Sequence, residues 1–131
     1  MKNKKLICLV IIVIIAIIAL GSLIYFNTTN VETIILDGTY SEGATDEIYK
    51  FTSDGRVILG YSLDEYNGTY TTVEENTIEI NLTEHIHWDI DTDNEIKETF
   101  NQTLNVKYIN ENTLEVINDD YQITYQITKI N

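Results

Sequence analysis

Hydrophobic positions follow two regimes along this chain. From Leu6 to Phe26 they are nearly unbroken, LICLVIIVIIAIIALGSLIYF, with no charge and with Cys8, Gly21, Ser22 and Tyr25 as the most polar members. From Ile34 onward they alternate with polar residues at every second position. The first regime predicts a single helix, because 21 residues at 1.5 Å each rise roughly 31 Å and cross a ~30 Å hydrocarbon core. Its many β-branched residues do not oppose this, since a lone segment in lipid satisfies its backbone only as a helix. The second regime, with no 3.6-residue period and no proline, predicts strands.

The strands can be followed in order. Ile34, Leu36, Gly38 and Tyr40 share the first face, and Tyr49 and Phe51 the next. Thr52-Ser53-Asp54-Gly55 is a hairpin signal, with Gly55 able to take positive φ. Val57, Leu59, Tyr61 and Leu63 follow, and a turn is expected at Asp64-Glu65 before Tyr66, Gly68, Tyr70 and Thr72. Glu74-Glu75-Asn76 leads into Ile78, Ile80 and Leu82, and unbroken alternation carries the same face through Ile86, Trp88 and Ile90. After Asp91 to Asn94 come Ile96, Phe100, Leu104, Val106 and Tyr108. Leu114 and Val116 follow Asn110-Glu111-Asn112, and Tyr121, Ile123, Tyr125 and Ile127 end the series. The total is eight strands if His85–Ile90 continues the Ile78–Leu82 strand, and nine if it is separate. No gap is long enough for a parallel crossover. The expected fold is therefore all-β, an antiparallel up-and-down meander of about eight strands closing as a barrel or a two-sheet sandwich. Closure is preferred because it removes edges in a chain with few edge lysines and no proline.

Certain stretches carry more than periodicity. Asp37-Gly38-Thr39-Tyr40, Tyr49-Lys50-Phe51-Thr52-Ser53-Asp54-Gly55, Gly68-Thr69-Tyr70 and Asn76-Thr77-Ile78-Glu79-Ile80 together span about 45 residues. They resemble the opening strand, hairpin and following strands of small bacterial lipocalin-like domains of the calycin type. Tyr40 stands where a lipocalin has tryptophan, and the later lipocalin motifs have no counterpart here. The resemblance implies a meander barrel with room for an apolar cavity, and names no ligand.

Charge then sets the compartment. Lys2, Lys4 and Lys5 precede the apolar run and no Lys or Arg follows it until Lys50, which places the N-terminus in the cytoplasm and the remainder outside. The expected organisation is a basic tail (1–5), an anchor (6–26), a short linker (27–32) and an extracytoplasmic β-domain (33–131). Ala19-Leu20-Gly21 offers a small-x-small site, so secretion after cleavage near Gly21 is the alternative. An uncleaved anchor is preferred because the apolar run continues past that site. Cys8 lies at the start of the run, the wrong end for a lipoprotein, and a single cysteine excludes an internal disulfide. Beyond Phe26 stand all 21 acidic residues against Lys50, Arg56, Lys97, Lys107 and Lys129, a net of −16. Such a domain repels nucleic acid and anionic headgroups and suits cations or a cationic protein.

Chemistry is sparse. In an extended strand His85, His87, Asp89 and Asp91 project to one face, opposite Ile86, Trp88 and Ile90. His-x-His with a carboxylate is half of a transition-metal site. If alternation is unbroken, however, that face is the outer one, both imidazoles are ordinary surface groups, and no essential metal is expected. Trp88 should then be a costly core residue. Asp89-x-Asp91-x-Asp93 begins like a calcium loop but has Asn94 and Phe100 where Gly and Glu are needed. Glu98 and Gln102 share the face of Ile96, Phe100 and Leu104, as carboxylate or amide toward a ligand, at a bulge, or at a wet barrel end. With Tyr61, Tyr70, Tyr108 and Tyr125 they are the candidate ligand-lining residues. No nucleophile-base pair or phosphate loop is legible, and no cofactor is expected. The reading is a membrane-tethered binding module that takes a small ligand. Its alternatives are an acidic inhibitor or immunity protein against a cationic partner, and a metal site on the His-x-His strand.

Overall fold

The computed structural model describes residues 2–29 and 31–131; Met1 and Asn30, which fall in the expected tail and linker, lie outside the described residues. Two units divide near Val31/Glu32. Helix α1, Lys2–Thr29, contains a 19-residue segment, Asn3–Gly21, long and apolar enough to cross a membrane. An anchor and a signal sequence both meet that description. Its large apolar side chains from Leu6 to Leu20 are exposed.

The second unit is all-β. Strands β1 (Gly38–Ser41), β2 (Ile48–Phe51), β3 (Arg56–Tyr61), β4 (Asp64–Glu74), β5 (Thr77–Asp89), β6 (Asn94–Asn110), β7 (Thr113–Asn118) and β8 (Ile123–Lys129) pair with their sequence neighbours, all antiparallel. β1 also pairs with β8, which closes an eight-stranded barrel. The seam is short, Tyr40 against Lys129 and Ser41 against Thr128, and is extended by Thr39 N–H to the Asn131 carbonyl at 2.9 Å and Ile130 N–H to the Thr39 carbonyl at 2.8 Å. The expected first strand is thus shorter than its alternation: Ile34 and Leu36 precede β1. The Leu36 side chain is buried, and its N–H bonds the Tyr70 hydroxyl at 3.0 Å.

One side chain from every second position fills the barrel. Tyr40, Tyr49, Phe51, Val57, Leu59, Tyr70, Ile78, Ile80, Leu82, Leu104, Val106, Leu114, Val116 and Ile127, with Leu36, form one buried cluster. Phe51 meets Tyr40 and Tyr70 edge-on, with centroids 5.6 and 5.3 Å apart, and lies parallel to Tyr49. Burying such rings and branched chains at about 25 cal/mol per Å2 is what holds a cysteine-free domain together.

Because the meander is up-and-down, its connections alternate between two ends. Residues 42–47, 62–63, 90–93 and 119–122 turn at one, called the hairpin end below. The long strands β4, β5 and β6 extend toward it.

Two local departures decide what that end looks like. The turn after β3 is Ser62-Leu63, with Ser62 at φ 54°, so Asp64 is not a turn residue but opens β4 opposite Tyr61. The second departure is a β-bulge. Gly68 pairs with Leu82 but Asn67 pairs with Glu84, so Thr83 is an extra residue in β5. A single extra residue reverses the in-out phase of everything after it. Ile78, Ile80 and Leu82 point inward before the bulge; after it His85 and His87 do, paired with the inward-facing Tyr66 and with Asp64. The expectation of outer-face histidines and an inner-face Trp88 is therefore corrected. Trp88 is 46% exposed, Ile90 is exposed, and only Ile86 of the three retains partial cover. Truncating Trp88 to alanine should accordingly cost about 1 kcal/mol or less in a urea titration, not the roughly 3–5 kcal/mol of a core aromatic.

Candidate functional site

Asp64 begins β4, and His85 and His87 stand two apart on β5. Cross-strand register sets Asp64 beside His87 and Tyr66 beside His85. All three polar residues are half-buried, and each offers a ligand atom within 4.8 Å of the other two. His85 Nε2 lies 2.7 Å from Asp64 Oδ1, and its Nδ1 lies 3.9 Å from Glu98 Oε2. His87 Nδ1 is buried and has no hydrogen-bond partner.

Aromatic rings fix this arrangement from below. The Tyr66 ring stacks on His85 with centroids 4.5 Å apart and planes 7° from parallel. Phe100, from β6, lies 4.9 Å from Tyr66 and 6.1 Å from His85. The His87 ring is 4.9 Å from that of His85. Tyr66 and Phe100 pack in turn against the buried core. The His85 imidazole thus stands on an apolar floor at the hairpin end with His87 beside it, and burial lifts the Tyr66 phenol above its ordinary range.

The sequence-derived candidates sort as follows. His85 and His87 converge; Asp89 and Asp91 do not join them. Those two sit at the β5–β6 turn, where Asp91 N–H donates to Asp89 Oδ1 at 3.0 Å, and the Thr92 hydroxyl, followed by that N–H, holds the Asp89 carboxyl below the usual range. Glu98 faces the histidines across the β5–β6 ladder but is itself exposed, and Gln102 is half-buried opposite Leu82. A bulge does fall in β6, where Phe100 and Asn101 stand opposite the single Thr83, but Gln102 and Glu98 still pair with the inward Leu82 and His85, so β6 keeps its phase and Glu98 occupies the wet end of its inner face.

The tyrosines are mostly structural. Tyr70 is a buried latch: its hydroxyl accepts from Leu36 N–H and lies 2.9 and 2.8 Å from the Leu36 and Thr52 carbonyls. Tyr125 is half-buried and its hydroxyl contacts that of Tyr49, both bonding Glu47 Oε1, at 3.1 and 2.8 Å. Burial pushes both phenols above the tyrosine range and keeps them neutral. Tyr108 is half-buried and packs on the core, whereas Tyr61 is exposed at the hairpin end. An open groove of about 430 Å3 lies on the outer face of β2–β4, with Lys50, Ile58 and Asn67 in its lining.

Comparison with protein-family models, with curated proteins and with solved structures finds no match.

Asp64 is the functional candidate that sequence reasoning missed, because Asp-Glu between two apolar runs looks like a turn. The signal for the phase reversal was present in Gly68. A glycine inside a strand marks a bulge or a close backbone approach.

Proposed function

We propose that this chain is an exported, single-pass, membrane-tethered binding module of lipocalin-like architecture that takes its ligand at the hairpin end of the barrel, not inside it. The observation that carries the reading is a contrast. The interior is filled by side chains from all eight strands, whereas the hairpin end holds a stacked group of half-buried rings and a buried, unpartnered His87 Nδ1. A buried polar atom without a partner costs free energy, and a ligand or a bound water supplies what it lacks. Tethering rests on the apolar run of α1 and on Lys2, Lys4 and Lys5 ahead of that run, which favour an N-terminus in the cytoplasm.

A cationic protein is the second reading of the partner. Asp64, Glu65, Asp89, Asp91, Asp93, Glu95, Glu98, Asp119 and Asp120 all lie at or near the hairpin end, and complementary charge speeds encounter with such a partner.

Two measurements test the reading. A reporter active only outside the cytoplasm, fused after residue 30, should be active; activity confined to a cytoplasm-specific reporter would reverse the orientation. Amide NMR spectra of the isotope-labelled protein, screened against small polar and aromatic fragments, should shift at residues 64–67, 84–88 and 96–100. Shifts confined to the core strand segments 78–82 and 104–106 would put the ligand inside and overturn the proposal.

A further inference from the structure

We infer that Asp64, His85 and His87 bind one divalent transition-metal ion in a three-ligand site with a coordination position left open. This deepens the reading of the hairpin end as the binding surface, and rests on it. Three donors from two adjacent strands already lie within 4.8 Å of one another. Two ligands at about 2.0–2.1 Å from a tetrahedral ion are roughly 3.3 Å apart. The 2.7 Å contact between His85 Nε2 and Asp64 Oδ1 therefore has to open by about 0.6 Å, and a donor pair at the 4.8 Å limit has to close by about 1.5 Å, movements within the reach of side-chain rotation on fixed strands.

The donor set selects the class of ion. Two imidazoles and one carboxylate, with no sulfur, suit Zn2+, Cu2+ or Ni2+, and not calcium or magnesium, which require oxygen, or Cu+, which prefers thiolate and thioether. Three protein ligands with one position open is the arrangement of a zinc site that can still take water or another molecule. The surroundings favour it too. Tyr66 and Phe100 hold the His85 ring in place, so little ordering remains for binding to impose. Glu98, exposed and with Oε2 3.9 Å from His85 Nδ1, would have to approach by about 1 Å to accept that N–H once Nε2 is committed to a metal, as the outer carboxylate that commonly orients a ligating imidazole. A domain of net charge −16 draws cations toward it.

The test uses the full chain in detergent, with no polyhistidine tag, titrated with zinc sulfate by calorimetry. One equivalent should bind, and copper(II) should compete and quench Trp88, the only tryptophan in the chain, which follows His87 in β5. Removing an outer-shell partner commonly costs about 10–100-fold in metal affinity, so His87→Ala and Asp64→Asn should each weaken zinc by at least about a hundredfold. The control Asp89→Asn/Asp91→Asn should leave affinity within about threefold, since both carboxylates lie outside the site. Circular dichroism checks that each variant is folded, and if His87→Ala is not, His87→Gln replaces it. Three results would overturn the site: no zinc binding, binding unchanged by the His87 and Asp64 variants, or equal loss in the Asp89/Asp91 control. If zinc fails while fragments still shift residues 64–67 and 84–88, the metal falls and the binding surface stands; if both fail, both readings fall.

Discussion

Replacing Ile80 with aspartate should leave little folded domain at neutral pH. Ile80 is fully buried in the middle of β5, opposite Tyr70 on one side and Leu104 on the other, both of them buried. Removing its side chain from the core forfeits about 1.5–3 kcal/mol of burial. An unpartnered carboxyl in its place adds at least about 2 kcal/mol even when it protonates, and more when it does not. The total rivals the ~5–15 kcal/mol that holds a typical domain together. Its neighbour gives the contrast. Glu79 points outward, pairs with Thr71 and Asn105, and accepts from Asn81 Nδ2 at 3.1 Å. Glu79→Lys should change stability by about 0.5 kcal/mol or less, and in so acidic a domain it relieves some self-repulsion. Urea titrations of the two variants decide the matter. Comparable losses would mean that the in-out register of β5 is wrong.

That register also shows how far the sequence could be read. The alternation of Val57 and Leu59, of Ile78, Ile80 and Leu82, and of Leu104 and Val106 was legible, because a half-buried strand has a period of two and these stretches keep it. Short connections without room for a crossover made the antiparallel meander legible as well, and β1 against β8 completes it. The site was half legible. His85 and His87 stood out as the only two histidines, but their side of the sheet depends on one extra residue, Thr83, to which alternation is blind until a partner strand is paired against it. Apolar Ile86, Trp88 and Ile90 continued the pattern so well that the local signal opposed the tertiary one. Asp64 was hidden for a related reason. Ser62 takes the left-handed turn conformation, which β-turn preferences assign more readily to Gly, Asn or Asp. Trp88 and Ile90 thus stand on the outside in spite of their hydrophobicity, because the bulge that turns the histidines inward necessarily turns their neighbours outward.

The glycine opposite that bulge should be among the least replaceable residues in the barrel. A Cβ on Gly68 would lie 2.0 Å from the Asn81 carbonyl oxygen, 2.8 Å from the Asn81 carbonyl carbon and 2.9 Å from Leu82 Cα. All three are backbone atoms of the strand it pairs with, so no side chain can swing aside. Overpacking usually costs about 1–3 kcal/mol, and here the obstacle is the β5 main chain, so Gly68→Ala should cost about 3 kcal/mol or more. Gly60→Ala is the matched control: it lies on the neighbouring β3, where a Cβ would come no closer than 4.0 Å to the Ile48 carbonyl oxygen, and it should change stability by less than about 1 kcal/mol. The damage should also be specific. The β4–β5 ladder can relieve the clash only by moving apart at Gly68, where the bulge begins, and that movement loosens the placement of His85 against Tyr66 and of Asp64 against His87. Folded Gly68→Ala protein, recovered at low temperature, should therefore show a weakened His85–Tyr66 ring contact in its aromatic NMR signals, while Gly60→Ala keeps it. A Gly68→Ala variant as stable as Gly60→Ala, with that ring contact intact, would mean that β4 and β5 do not approach this closely and that the bulge at Thr83 is misplaced.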